Sequence, residues 1–178
     1  MDEPGHITPS IVALVGLSGA GKTTVAERLA AHWGWRALDL DDDIASRAGC
    51  TISEIFERRG EPEFRRLERG ALMRALGETQ CVLATGGGAP CQPGLMDALL
   101  DATSVVWLDA PPTVLAQRLA DAGDRPLLAS GRILESLEAQ YRHRVHVYQR
   151  AHLRISVARH DLTQVVMTIA EHLEVTHG

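Results

Sequence analysis

Cysteine is scarce and unpatterned: Cys50, Cys81 and Cys91 are odd in number and form no C-x-x-C pair, which argues against a disulfide framework and for a reducing, cytoplasmic setting. They read as small buried fillers. No apolar run approaches the ~18 residues of a membrane span. Residues Met1 to Ser10 carry acidic side chains and two prolines but no apolar stretch, so a secretory signal is not expected there. Positive charge is also short: 18 Lys and Arg stand against 23 Asp and Glu, and the net charge of -5 argues against nucleic acid as the main partner. There is no internal repeat and no low-complexity tract. What remains is ordinary globular composition, 45% hydrophobic and 23% charged over 178 residues, enough for a single domain spanning 1–178 with a substantial core and expected to act as a monomer.

Against that background one segment stands out. Gly16 to Thr23 reads G-L-S-G-A-G-K-T, the form G-x-x-x-x-G-K-[ST]. Both flanks suit it. Ile11 to Val15 is a short apolar run that reads as a buried strand, and Val25, Leu29 and Trp33 recur every four residues, with Ala26 and Ala30 beside them, as one face of a helix. Strand, glycine-rich turn and helix start aim backbone N–H groups and the positive end of a helix dipole at one point, where a polyphosphate fits. Gly19, Ala20, Gly21, Lys22, Thr23 and Thr24 are the expected ATP contacts, with Lys22 on the β- and γ-phosphates and Thr23 on Mg²⁺.

Strand-like and helix-like segments alternate along the rest. Candidate strands are Ile11–Val15, Arg36–Leu40, Cys81–Ala84, Ser104–Leu108 and Leu153–Val157. Between them, Thr51 and Glu54 have capping-box spacing for a short helix, and Phe64, Leu67, Ala71 and Ala75 mark another with Pro62 in its first turn. Leu134, Leu137, Tyr141, Val145 and Tyr148 mark a long helix, and Val165, Val166, Ile169 and Leu173 a last one. This alternation predicts an α/β fold, a parallel sheet with helices on both faces, whose ligands bind at the carboxyl ends of the strands.

Three groups fall at that edge. Asp39, Asp41, Asp42 and Asp43 follow the second strand; helix capping accounts for Asp42 and Asp43, while Asp39 and Asp41 lie where one carboxylate can bind Mg²⁺ and another accept a proton from an alcohol. Thr85-Gly86-Gly87-Gly88 follows the third strand, where glycines let a ligand approach the backbone and Thr85 adds a hydroxyl near the metal. Arg65, three residues before Glu68, with Arg125 and Arg144, could pair with a substrate carboxylate or neutralise a moving phosphoryl group.

Taken together, G-L-S-G-A-G-K-T at Gly16–Thr23, L-D-L-D at Leu38–Asp41, E-F-R-R-L-E at Glu63–Glu68, T-G-G-G-A at Thr85–Ala89, D-R-P-L-L at Asp124–Leu128 and R-V-H-V-Y at Arg144–Tyr148 resemble the shikimate kinases, a P-loop family like the nucleoside-monophosphate kinases. The resemblance covers the chain from Ile11 to the last helix. It implies a three-layer αβα P-loop kinase fold on a five-stranded parallel sheet, and transfer of the γ-phosphoryl group of ATP to the 3-hydroxyl of shikimate in aromatic amino acid biosynthesis. By the same resemblance Asp41 contacts the reacting hydroxyl as its base, and Asp39 lies near Mg²⁺. Arg65 and Arg144 grip the shikimate carboxylate, and Gly86, Gly87 and Gly88 line its ring. Lys22 and Arg125 neutralise phosphoryl charge, and Arg118 stacks near adenine. A substrate-binding subdomain would span about 41–74 and a lid about 120–132.

Two departures matter. The family usually has R-x-P-x-Y near Arg144, where this chain has His146 in the proline position, so an altered helix start or break is expected there. Val157 to Asp161 departs from the family's adenine-contacting turn, leaving Arg118 alone for the base. Alternatives stay open: a kinase of another small hydroxy acid such as gluconate, a ligand-sensing module of the kind attached to DNA-binding segments, or an idle nucleotide-binding scaffold. With ten residues before the first strand, a DNA-binding module is not expected. His143, His146, His152 and His160 lack metal-site spacing, and Trp33, Trp35 and Trp107 read as packing.

Overall fold

A computed structural model describes residues 10–121 and 128–175. In chain order the elements are β1 (Ile11–Val15), α1 (Lys22–Trp33), β2 (Arg36–Asp39), α2 (Leu40–Ala48), α3 (Ile52–Ala75), β3 (Cys81–Ala84), a 3₁₀ turn (Ala89–Cys91), α4 (Leu95–Ala102), β4 (Ser104–Asp109), α5 (Pro112–Asp121), α6 (Leu128–Tyr148), β5 (Leu153–Ser156) and α7 (Leu162–Val175). The five strands form one sheet in the order β2-β3-β1-β4-β5, every pair parallel. This is the αβα, five-stranded arrangement that the alternating pattern implies.

Parallel strands need helical crossovers, and those cover both sheet faces. The central strands are correspondingly apolar and closed to solvent: every residue of β1, β3 and β4 is buried. The edge strands β2 and β5 carry exposed positions and, with Arg36 and Arg154, charge. The core gathers Leu14, Leu29, Leu83, Leu99, Leu108 and Trp107 around β1.

Gly16 is required at the exit of β1. Its φ is +142°, and a Cβ there would sit 2.5 Å from the carbonyl oxygen of Leu108 on β4. Only a residue without a side chain lets the loop leave the sheet this close to its neighbour.

Strand ends differ from expectation by a residue. Leu40 and Val157 lie just outside β2 and β5, and β4 extends to Asp109. Leu40 begins α2 because Asp39 caps it: Asp39 Oδ1 accepts from the N–H groups of Asp41 at 2.9 Å and Asp42 at 3.4 Å. The cap itself is thus Asp39, while Asp42 and Asp43 lie in the first turn as expected, where negative charge complements the helix dipole. Asp43 also takes Arg47 and Arg74, both at 2.8 Å, tying α2 to α3. Those two arginines draw its pKa below the ordinary carboxylate value against the opposing effect of burial, which is the largest single influence.

The two helical patterns between 51 and 75 join as α3 but remain distinct. Thr51 and Glu54 form the expected capping box, and the helix breaks at Gly60, φ 78°, ψ 169°, before Pro62 restarts it. His152, one of the clustered histidines, is exposed and bonds to the sheet: its Nδ1 accepts from the Val105 N–H at 2.9 Å, across the β4–β5 side. Trp107 is 2% exposed, whereas Trp33 and Trp35 pack on each other at the edge with ring centres 5.0 Å apart. Of the cysteines only Cys81 is fully buried. Among the described residues no helix is long and apolar enough to cross a membrane.

Candidate active site

The carboxyl ends of β1, β2 and β3 bring three loops together around a cavity of about 380 Å³. Its walls include the phosphate-loop residues Gly19, Gly21, Lys22, Thr23 and Thr24, the carboxylates Asp39 and Asp41, and the turn at Thr85 to Gly87. Strands β2 and β1 lie on either side of β3, so sheet order alone places the aspartates and the triple glycine against the loop.

Lys22 is the first residue of α1, and Gly21 precedes it as cap with φ 86°. The Lys22 ammonium donates to the carbonyls of Gly16 and Leu17, both at 2.9 Å. Burial pulls its pKa down to about 8, with Arg144 adding to the effect and the charges of Asp41 and Asp39 opposing it. Thr23 follows in the first turn, and its hydroxyl donates to Asp39 Oδ2 at 2.5 Å. Asp39 therefore uses one oxygen on Thr23 and the other on the start of α2. Two residues on, Asp41 is different: its Oδ1 is buried and makes no hydrogen bond. Burial raises its pKa, and the charges of Asp39 and Glu68 push the same way. A carboxylate so crowded is a proton acceptor lacking a proton to accept.

The triple glycine works by absence of side chains. A Cβ at Gly86 would lie 2.5 Å from Glu68 Oε1 and 3.3 Å from Asp41 Oδ1. At Gly87 it would lie 3.2 Å from Arg144 Nη1, and at Gly88 2.5 Å from Arg65 Nη1. Three bare backbone units thus form the floor on which two guanidinium groups and two carboxylates meet. Arg65 is held there from below and from the side. Its Nη1 donates to Glu68 Oε2 at 2.7 Å, and its Nη2 to Glu61 Oε1 at 3.1 Å. Glu68 is 1% exposed and takes a second donor, Gln92, at 2.8 Å. A buried carboxylate with two donors is a fixed anchor, so the guanidinium is oriented before any ligand arrives.

Thr85 borders the same cavity as Thr23 and Asp39, is 3% exposed, and its hydroxyl donates to the Leu14 carbonyl at 2.9 Å, which stitches the end of β3 to β1. Arg118, on α5, donates to the Val157 carbonyl at 2.6 Å and borders both the main cavity and a neighbouring one of about 250 Å³ that includes Thr24, Val157 and His160. Val157 and His160 therefore border the cavity beside the site, which shares Gly19, Gly21, Thr24 and Arg118 with it. Arg125 lies at 122–127, outside the described residues; the flanking parts of the expected lid, 120–121 and 128–132, are helical turns of α5 and α6.

Two other contributors were not assigned to the site from the sequence. Gln140 accepts from Arg144 at 2.8 Å, and Tyr148, completely buried, donates its hydroxyl to the Gly87 carbonyl at 2.5 Å. Gln140 belongs to no motif, and Tyr148 closes the R-V-H-V-Y segment without its role being readable there. For Tyr148 the hint was an aromatic four residues past an arginine on one helix face.

A parallel sheet ordered 2-3-1-4-5 with a phosphate loop leading from β1 into α1 defines a P-loop kinase, an ATP-dependent phosphotransferase. The particular branch follows from relatives. A family model described as shikimate kinase matches residues 18–174, and the chain belongs to that family. A shikimate kinase of Geobacter sulfurreducens is 43% identical over 159 residues, covering 89% of this chain and 88% of that protein. One from Mycobacterium marinum is 38% identical over 90% of this chain and 88% of its own length. Among solved structures, shikimate kinase from Acinetobacter baumannii in complex with shikimate superposes with a TM-score of 0.86 at 34% identity, covering 95% of each chain. A gluconokinase from Sinorhizobium meliloti shares the fold at a TM-score of 0.57 and 16% identity, over 96% of this chain and 99% of its own.

Proposed function

We propose that the chain phosphorylates the 3-hydroxyl of shikimate with ATP, using the residues gathered at the β1, β2 and β3 termini. One observation supports this above others: Arg65 and Arg144 approach the same three-glycine floor, within reach of the unpaired oxygen of Asp41. Two planar forks beside a proton acceptor suit a small acid carrying a hydroxyl.

In this reading the backbone N–H groups of Gly19 to Thr24 hold the nucleotide phosphates and Lys22 swings from the Gly16 and Leu17 carbonyls to them. Burial that lowers the pKa of Lys22 also strips its water, so the phosphates meet a poorly solvated ammonium. Asp41 orients the acceptor hydroxyl and takes its proton, while Gly86, Gly87 and Gly88 allow the ring to lie against backbone. Arg65 and Arg144 bind its carboxylate. Arg118 lies against the base, and Arg125 adds positive charge over the phosphates on the strength of the D-R-P-L-L motif. The segment about 41–74, made of α2 and most of α3, is the substrate-binding part, and about 120–132 the lid.

Mg²⁺ fits the donors present. The Thr23 hydroxyl and Asp39 carboxylate already touch, and both are hard oxygen ligands. Those two residues would hold the ion, which supplies charge neutralisation across the phosphate oxygens. Phosphoryl transfer asks little covalent help of a protein, so placement and charge are what the residues provide.

Measuring ADP release with ATP and Mg²⁺ tests the reading. Release is expected to depend on shikimate and to stay at background with gluconate. Equal rates with either acid, or release independent of both, would overturn it.

A further inference from the structure

The helix α6 carries three polar residues at intervals of four, Gln140, Arg144 and Tyr148, which places them along one face. Their contacts run in series. Gln140 Oε1 accepts from Arg144 Nη1 at 2.8 Å. The Arg144 guanidinium also lies near the Tyr148 hydroxyl, where its charge opposes the rise that burial causes in that group's pKa. The Tyr148 hydroxyl in turn donates to the Gly87 carbonyl at 2.5 Å, 61 residues away in the chain. Arg144 is thereby held by Gln140 on one side, and Tyr148 on the other is fastened to Gly87, the residue of the turn that faces Arg144.

The ladder depends on an unbroken helix. A proline at 146 would lack an N–H and press on the Arg142 carbonyl, kinking α6 between Arg144 and Tyr148. With His146 there, α6 runs from Leu128 through Tyr148 without interruption, and the two residues stay one turn apart. The helix near Arg144 is thus altered, by losing a break, in the way that His146 in the proline position implies.

Packing alone does not account for Tyr148. Its ring lies 6.0 Å from that of Trp107 and its side chain has 0% exposure, surroundings a phenylalanine would satisfy. The hydroxyl is a polar group in an apolar wall, and its bond goes to a backbone carbonyl of the site floor, not to its own helix. Burial drives its pKa far above the usual phenol value, so it remains a donor at any working pH.

We propose that Gln140 and Tyr148 are positioning residues that fix Arg144 against the Gly86–Gly88 turn and so set the affinity for the acid substrate. This rests on the reading that Arg144 binds the substrate carboxylate. Neither residue touches the substrate; each acts through Arg144 or the turn.

The experiment is steady-state kinetics and shikimate calorimetry on Tyr148→Phe and Gln140→Ala, each also placed in an Arg144→Ala background. Tyr148→Phe is expected to raise the KM for shikimate about tenfold and Gln140→Ala about threefold, with the KM for ATP within twofold of wild type. In the Arg144→Ala background both effects should shrink below twofold, because the group being positioned is gone. A purely structural tyrosine would lower Tm and leave that coupling at zero. An unchanged shikimate KM in both single variants, or equal losses with and without Arg144, overturns the proposal. If Tyr148→Phe does not fold, Gln140→Ala and its double variant decide alone. Failure of the functional reading looks different: the unmodified protein would show no shikimate binding at all.

Discussion

Replacing Gly88 by alanine tests the substrate grip with one methyl group. Gly88 has φ −84° and ψ −19°, which alanine adopts freely, so the backbone is not strained. The added Cβ would meet Arg65 Nη1 at 2.5 Å and Cζ at 2.9 Å. Ordinary contact begins near 3.4 Å, so the guanidinium must retreat by most of an ångström. It is not free to do so, because Nη1 is bonded at 2.7 Å to Glu68, a carboxylate with 1% exposure that cannot follow. Either the Arg65–Glu68 bond stretches or the fork turns away from the floor, and in both cases a carboxylate placed on that floor loses one charge-assisted bond. Such a bond contributes about 1.5–3 kcal/mol, hence a rise of about 10- to 100-fold in the KM for shikimate. The KM for ATP should not move, since Lys22 and the phosphate loop are untouched. Alanine also reduces the freedom of the unfolded chain, worth about 0.4–1 kcal/mol, and this offsets part of the strain on Arg65. The expected change in Tm is within about 4 °C for a chain of this size. A coupled assay of ADP release with shikimate varied at saturating ATP, alongside thermal melting, reads both quantities. A shikimate KM within twofold of wild type would refute the reasoning, as would an equal rise in the KM for ATP.

Lys22→Ala should abolish turnover with little change in Tm, and activity above a few per cent of wild type would remove Lys22 from the chemistry. Because burial holds Lys22 near about 8, kcat/KM for ATP should fall as pH rises through that value and the ammonium neutralises, whereas kcat, reporting enzyme with phosphates bound, should hold to higher pH; coincident profiles would contradict this. Asp41→Asn should cut kcat by about 10²- to 10⁴-fold and leave ATP binding intact. Its folded pKa lies above the unfolded one, burial being the main cause, so ionised Asp41 costs stability above that range and stability grows as pH falls through it. The asparagine variant should accordingly melt at the same temperature as wild type or higher at neutral pH, and a marked drop in Tm would show that Asp41 has a stabilising partner. Chelating Mg²⁺ should stop turnover reversibly, and Thr23→Ala should raise the Mg²⁺ concentration needed for half-maximal rate; an unaltered requirement would separate Thr23 from the ion.

Much of this was readable from the chain because local chemistry and position agreed. The G-L-S-G-A-G-K-T segment, its apolar flanks and the capping box at Thr51 are short-range patterns, and each formed as its spacing implied. The aspartates and triple glycine were legible as site elements because strand ends in a parallel sheet share an edge. Divided roles were not. That Asp39 caps α2 and binds Thr23, or that Thr85 spends its hydroxyl on Leu14, depends on distances between segments that no periodicity encodes. The same holds for Gln92 on Glu68 and Tyr148 on Gly87, pairs separated by 24 and 61 residues. Side chains that brace a site from behind carry ordinary identities, and only the folded arrangement reveals them.

The fit of Gly16 beneath Leu108 has a practical corollary for anyone screening variants. The first residue of the nucleotide signature is also a spacer between two central strands, so any larger residue there would wedge β1 and β4 apart before catalysis is ever in question. Substitutions at Gly16 should surface as poor yield and early melting, and an assay of turnover alone would misfile them as binding defects.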